Sequence, residues 1–227
     1  MKKIISLILV AVLALSMVLA LGSCAEKQKS VYEITNSSSA TSITANVRYV
    51  ATNGDEFYGW YVIKRAGNDM IVDYEFNRYT TVEESVAAGT AERFTEEKGK
   101  IYYYGGKYYN SGDISKTPWV DSPLDIDFKF SVAREKFATA MTTADKLTVY
   151  ATATPENFSE MFGFSCNADG SVSIMLTTNG VQLTETEITY TNKSGGTTAI
   201  TTTYSYSENV LDFTEITGEV EEEVEAE

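Results

Sequence analysis

Any chemistry in this chain must do without imidazole, because its 227 residues include 32 Asp and Glu, 18 Lys and Arg, 15 Tyr and two Cys but no His. Without imidazole there is no Ser-His-Asp triad, no Cys-His dyad, no His-ligated metal and no imidazole proton shuttle. A carboxylate pair can hydrolyse glycosides without His. No pair stands out, since Asp121, Asp125 and Asp127 fall at the start of a strand pattern and form its wet side. Asn167-Ala168-Asp169-Gly170 has part of the spacing of a calcium loop, but Ser165 stands where the leading Asp belongs and Leu176 where the bidentate Glu belongs, so it reads as a turn. The sequence has no glycine-rich phosphate loop and no CxxC pair. The expectation is a protein that is not an enzyme and holds no metal or cofactor, a hydrolase with a hidden carboxylate site being the outlying alternative.

The two cysteines separate by context. Cys166, between Ser165 and Asn167 and close to Phe164, reads as a small buried hydrophobe rather than a reactive thiol. Cys24 ends a segment of another kind: Lys2 and Lys3 precede an uncharged apolar run from Ile4 to Leu21, which has the basic start and apolar middle of an export signal. Its exit, Leu21-Gly22-Ser23-Cys24, resembles the lipobox of bacterial lipoprotein signal peptides. That resemblance implies cleavage after Ser23 and a diacylglyceryl thioether on Cys24, hence a chain anchored by lipid to the extracytoplasmic face of the cell membrane. Cleavage would remove Lys2 and Lys3 and leave 204 residues, with 16 basic against 32 acidic side chains and a net charge of −16. Such a chain repels phosphate backbones and anionic head groups, which disfavours nucleic acid as a partner and makes the anchor covalent rather than electrostatic. Two acyl chains hold where one does not. Residues 24–30 form the lipidated tether; Ala25 to Ser30 span at most ~20 Å. With Cys24 modified, Cys166 has no intramolecular partner, and the fold has no disulfide.

Positioning then falls to the elements of residues 31–218, read as one domain ahead of an acidic tail, 219–227, expected to be disordered and at most a weak binder of divalent ions. Thr, Tyr, Val and Ile dominate, punctuated by Gly and Asn turn signals, so the text reads as mainly β. Strands are expected over Val31–Asn36, Thr41–Ala51, Glu56–Arg65, Asp69–Tyr79, Arg93–Tyr104, Lys107–Tyr109, Leu124–Phe130, Lys146–Thr152, Val172–Thr178, Val181–Thr191 and Thr197–Ser207. Asn53-Gly54, Gly67-Asn68, Gly105-Gly106, Asn179-Gly180 and Gly195-Gly196 supply tight turns, which pairs neighbouring strands antiparallel in chain order as a meander.

Two stretches carry helical spacing. In Ser131–Thr143, Ala133, Phe137, Ala140 and Met141 form one stripe. In Thr154–Gly163, Thr154 suits an N-cap, Pro155 the first helical position and Gly163 the C-terminal stop, with Phe158, Met161 and Phe162 as the apolar face. Val82–Ala88 has a weaker version of the same spacing. Leu124, Ile126, Phe128 and Phe130 oppose Asp125, Asp127 and Lys129, and Val172, Ile174 and Leu176 oppose serines and threonines, so one wall of the sheet is apolar. Other strands are apolar on both sides: Phe57, Tyr61 and Ile63 face away from Tyr58, Trp60 and Val62. The two helices laid on a face of this sheet either fill the space beneath them or enclose an apolar pocket. In the second case the lining residues would be drawn from Trp60, Val62, Tyr103, Phe128, Phe137, Met141, Phe158, Met161, Phe162 and Ile174.

A lipobox, a short tether, two-sided strands, the segment Lys100-Ile101-Tyr102-Tyr103-Tyr104-Gly105-Gly106-Lys107-Tyr108-Tyr109, a helical interlude, and Val172–Phe213 reading as three closing strands together resemble the LolA-like lipoprotein-carrier superfamily. The resemblance is one of pattern over most of Val31–Phe213. It implies a curved antiparallel half-barrel with short helices over its concave face, holding an acyl chain or another hydrophobic molecule. Such carriers usually open with a helix, whereas Val31-Tyr32-Glu33-Ile34 reads here as strand. The functional expectation is an anchored extracytoplasmic lipoprotein that binds or transfers a lipid-like ligand. The alternative is a surface interaction or sensory module with a filled core, whose exposed Tyr and acidic faces meet a protein or glycan partner.

Overall fold

The computed structural model describes residues 29–38, 42–52, 56–81, 92–111, 129–193 and 195–217. The chain divides into two compact units, Met1–Ser30 and Val31–Glu227. Of the first, Lys29 and Ser30 are described, exposed and outside any regular element; every described strand and helix belongs to the second. The apolar leader, Cys24, the Val82–Ala88 pattern, Asp121, Asp125, Asp127, Phe128 and the acidic tail lie outside the described residues. Among the described residues no helix is long and apolar enough to cross a membrane.

The second unit is mainly β. Ten antiparallel strands form one open sheet: β1 (Ser42–Thr52), β2 (Glu56–Ala66), β3 (Asp69–Thr81), β4 (Glu92–Tyr104), β5 (Lys107–Asn110), β6 (Thr139–Thr142), β7 (Thr148–Ala153), β8 (Val172–Thr178), β9 (Leu183–Thr191) and β10 (Thr197–Ser205). Their order is β5-β4-β3-β2-β1-β10-β9-β8-β7-β6. Each half is the expected meander, but β5 and β6 do not pair. They are the two edges, and the seam joining the halves is β1 against β10, with Val47 opposite Thr202 and Tyr49 opposite Ile200. The β4–β5 turn places Gly105 and Gly106 both at positive φ, 57° and 79°, the geometry that a two-residue hairpin needs and side chains resist.

Alternation sorts the side chains into two faces. Ile43, Ala45 and Val47 of β1 lie on the inner face with Tyr61 and Ile63 of β2, Val72 and Phe76 of β3, Ile101 of β4, Ile200 of β10, Ile188 of β9, Ile174 and Leu176 of β8 and Val149 of β7. All are buried and belong to one cluster.

Three segments bring side chains into that cluster. Helix α1 (Val31–Ser37) replaces the expected strand: Val31, Ile34, Thr35 and Ser38, at helical spacing, are all buried, so the tertiary surface overrides the β preference of Val, Tyr and Ile. Its contacts are with β8 and β9, and Ser38 Oγ both donates to the Ile34 carbonyl and accepts the Leu183 N–H at 2.8 Å. Helix α2 (Pro155–Phe162) forms as expected, with Thr154 as N-cap accepting from the Asn157 N–H and Gly163 as a left-handed C-cap. The helix expected over Ser131–Thr143 does not form. Residues 129–133 belong to no regular element, with Ala133 extended, a 3-10 turn covers Arg134–Lys136, and Thr139–Thr142 is β6. The backbone there pairs outward rather than with itself: Ser131 N–H donates to the Met161 carbonyl and Ala138 N–H to the Thr152 carbonyl. The Asn36 side chain clips Val132, accepting from its N–H at 2.7 Å and donating to its carbonyl at 2.9 Å.

Candidate functional site

Beneath α2 the chain builds an aromatic cluster. Phe158 stacks on Phe162 at 5.0 Å and meets Phe164 edge-on at 4.9 Å, while Phe130 meets Phe162 at 6.1 Å and Tyr204 at 5.9 Å, both edge-on. Edge-to-face contacts at these separations match ring quadrupoles. Phe158, Met161 and Phe162 are buried, as are Phe137 and Ile174, so five of the residues chosen from the sequence meet in one cluster. Tyr103, half-buried, lies on the inner face near the β4–β5 turn, its ring 4.7 Å from Tyr108.

Three of the chosen residues lie on the other side of the sheet. Trp60 and Val62 alternate with the buried Tyr61 and Ile63 and so occupy the outer face, Trp60 remaining 39% exposed. Met141, expected on a buried helical stripe, alternates with Ala140 in β6 and is 66% exposed. Phe128 lies outside the described residues.

Sequence reasoning passed over the hydroxyl-bearing seam at the centre of the inner face. Tyr190 on β9 pairs across to Thr198 on β10, and Thr198 to Ala51 on β1; beyond the Ile200–Ile188 pair on the same face, Thr202 stands opposite Thr186. Tyr204 and Thr186 share a hydrogen bond at 3.2 Å. Burial raises the phenol pKa of Tyr49 and Tyr204 and pushes those of Tyr190 and Tyr206 up to about 12, because a phenolate loses more solvation than a phenol. Among the described residues the buried Thr35 Oγ1 on α1 has no hydrogen-bond partner. The available signal for this seam was the alternating Thr of Thr197–Ser205, which the sequence presents as ordinary strand formers.

The outer face carries two further features. Residues after β10 cross it as a strap. Asn209 donates to the carbonyls of Ile43 and Arg65, at 2.8 and 3.1 Å, and Phe213 packs on Tyr102 and Tyr104, at 6.1 and 4.6 Å between centroids. Glu215, on the short helix α3 (Thr214–Thr217), accepts from the hydroxyls of Tyr102 and Ser111, which hold its carboxyl below the usual range; Tyr102 is raised by burial and by that same carboxylate. A cavity of about 390 Å³ under the strap is lined by Lys64, Lys100, Asp73, Asp212, Glu215 and their neighbours, with Lys100 and Asp73 3.8 Å apart. At the opposite edge an open groove of about 480 Å³ runs over β6–β9, with Met141, Tyr150 and Met175 side by side and Thr139, Thr152, Ser173 and Thr189 in the next row.

No group of three or more acidic or Cys side chains suited to a metal ion occurs among the described residues. Cys166 is half-buried, and that burial raises its thiol, which favours the protonated form. Asn167-Ala168-Asp169-Gly170 docks on the end of β9, with Asp169 N–H donating to the Thr191 carbonyl and Ala168 bridging Asn192. The arrangement is one of burial, hydroxyl lining and aromatic surface.

No protein-family model matches the chain, and no curated protein matches it. Among solved structures it is similar to the hypothetical protein CT021 from Chlamydia trachomatis, at 10% identity and a TM-score of 0.30, over 82% of this chain and 100% of that one.

Proposed function

We propose that this chain is a lipid-anchored extracytoplasmic lipoprotein, held to the cell membrane through Cys24, whose sheet forms a curved half-barrel that binds or transfers a hydrophobic molecule such as an acyl chain. The observation that carries the reading is α1. The LolA-like pattern opens with a helix, and Val31–Ser37 supplies one whose Val31 joins the inner-face cluster, with Tyr32 packed against it, together with side chains of α2 and of residues 130–137. The contacts of both helices are with β7, β8 and β9. Tyr61 and Phe76 on the other half of the inner face are buried, so a ligand there would take the place of what now covers them, against the Phe76 ring and the Tyr61 and Tyr74 rings that meet it at 5.1 and 5.9 Å. Such a wall suits a flexible hydrocarbon tail, which needs apolar area rather than directed polar contacts.

The second reading, a surface interaction or sensory module with a filled core, draws support from the close ring contacts of Phe130, Phe158, Phe162 and Phe164, which leave the space under α2 occupied by side chains. One experiment separates the two. Protein purified from membranes and exchanged into a detergent-free lipid nanodisc, then digested to release the domain after the tether, is extracted with organic solvent and analysed by mass spectrometry. A stoichiometric hydrophobic species in the released domain is the expected result. Its absence, with the domain folded, sinks the carrier reading in favour of the filled module.

A further inference from the structure

The groove over β6–β9 has no part in the inner-face reading. Met141, Tyr150 and Met175 stand in one cross-strand row, Met141 66% and Tyr150 48% exposed, in a chain of marked acidity. The row meets its first charge at Glu187 on β9; the row on one side holds only Thr and Ser, and the row on the other runs from Thr148 and Thr177 to Glu185. An area with so little charge is where a protein of net charge −14 approaches a lipid leaflet at least electrostatic cost. Its chemistry also fits: Met offers apolar bulk, Tyr an apolar ring with a wet hydroxyl suited to the head-group boundary, and Thr hydrogen-bonds at head-group level.

The position of the domain's first residues selects the occupant. Tyr32 packs on Phe137 at 6.0 Å between centroids and its hydroxyl reaches the Thr142 side chain, so α1 starts beside the β6 edge. Six residues separate Val31 from Cys24, a reach of at most ~25 Å. We infer that the Met141–Tyr150–Met175 surface docks on the uncharged region of the lipid leaflet that holds the anchor. This rests on the lipoprotein reading only for its tether; the surface itself stands on exposure and register.

The test uses the lipidated full chain in phosphatidylcholine vesicles, with Cys166→Ala so that an environment-sensitive fluorophore can be placed at Met141→Cys or at Val210→Cys, Val210 being 95% exposed on the strap. The expected result is a blue shift and quenching by lipid-borne nitroxide at 141 and neither at 210. Equal aqueous emission at the two positions overturns the proposal. As a second readout, a label at Tyr150→Cys moves back toward aqueous emission when Met141→Asp is added, because losing one Met from the docked area lowers the docked-to-free ratio about tenfold; no change counts against docking. The intact mass of the membrane-extracted chain reads the anchor separately. If the diacylglyceryl mass is absent the lipoprotein reading falls, and the label at 141 on chain mixed with vesicles still decides the surface.

Discussion

Gly59 is the position where the inner face has least room. It lies opposite Phe76 across β2 and β3, and a Cβ built there would fall inside the Phe76 ring, with even Cγ only 2.9 Å away. The ring is held on two sides, because Tyr61 of the core cluster meets it edge-on at 5.1 Å and Tyr74, packed against that cluster, meets it tilted at 5.9 Å. Gly59→Ala is therefore expected to cost about 1–3 kcal/mol, the range for overpacking, despite the gain of about 0.4–1 kcal/mol that losing a glycine gives through the unfolded chain. Phe76→Ala alone should cost about 3–5 kcal/mol. Together the two should not add: with the ring gone the new methyl has space, so the double variant should match Phe76→Ala or exceed it slightly in stability. Urea unfolding followed by far-ultraviolet circular dichroism, with m values compared across the four proteins, gives the cycle. Costs that add to within about 0.5 kcal/mol would refute the idea that this glycine exists to seat that ring.

Asn36→Ala removes both hydrogen bonds to Val132 and should cost about 1–3 kcal/mol in the same unfolding assay, with earlier hydrogen exchange at residues 130–133 as its local signature. Phe158→Ala should cost about 3–5 kcal/mol, because the ring is fully buried between Phe162 and Phe164; a loss below 1 kcal/mol would mean the cluster is loosely filled. Stability should also fall in alkali. The phenols of Tyr190 and Tyr206 are raised to about 12 by burial, whereas unfolded tyrosine ionises near pH 10, so their contribution is fully present below pH 10 and is lost as pH rises toward 12. The denaturation midpoint measured at successive pH values, alongside tyrosinate absorbance, should drop over that window, and a midpoint flat to pH 12 would contradict the buried seam.

How much of this was legible depended on whether the signal was local. β8 carries Val172, Ile174 and Leu176 in strict alternation, and its bounds are those read from the sequence. α2 announced itself through Thr154, Pro155 and Gly163, which act at backbone groups a few residues away. The α1 segment misled because Val, Tyr and Ile favour strands, and only the distant surface of β8 and β9 rewards their helical face. The stripe from Ala133 to Met141 misled for the reverse reason: four apolar residues fit a helical spacing by chance, while the hydrogen bonds of that backbone go to Met161 and Thr152. On β2 both sides are apolar, so Trp60 and Val62 could be placed only by knowing which side the rest of the sheet buries. The strap was hidden too, since Asn209, Phe213 and Glu215 find partners on strands more than a hundred residues earlier.

Because β1 and β10 meet in the middle of the sheet, the first strand made and the last one lie side by side. A ribosome or translocon that releases this polypeptide from its amino end delivers Ser42–Thr52 early and leaves it with an open flank until the residues near Ser205 emerge. Closing contacts across some 150 positions is slow relative to hairpin zippering, so assembly should wait for release of almost the whole polypeptide. Deleting the final strand would not trim a border but cut the molecule along its midline, leaving two five-stranded or smaller fragments with nothing to align them.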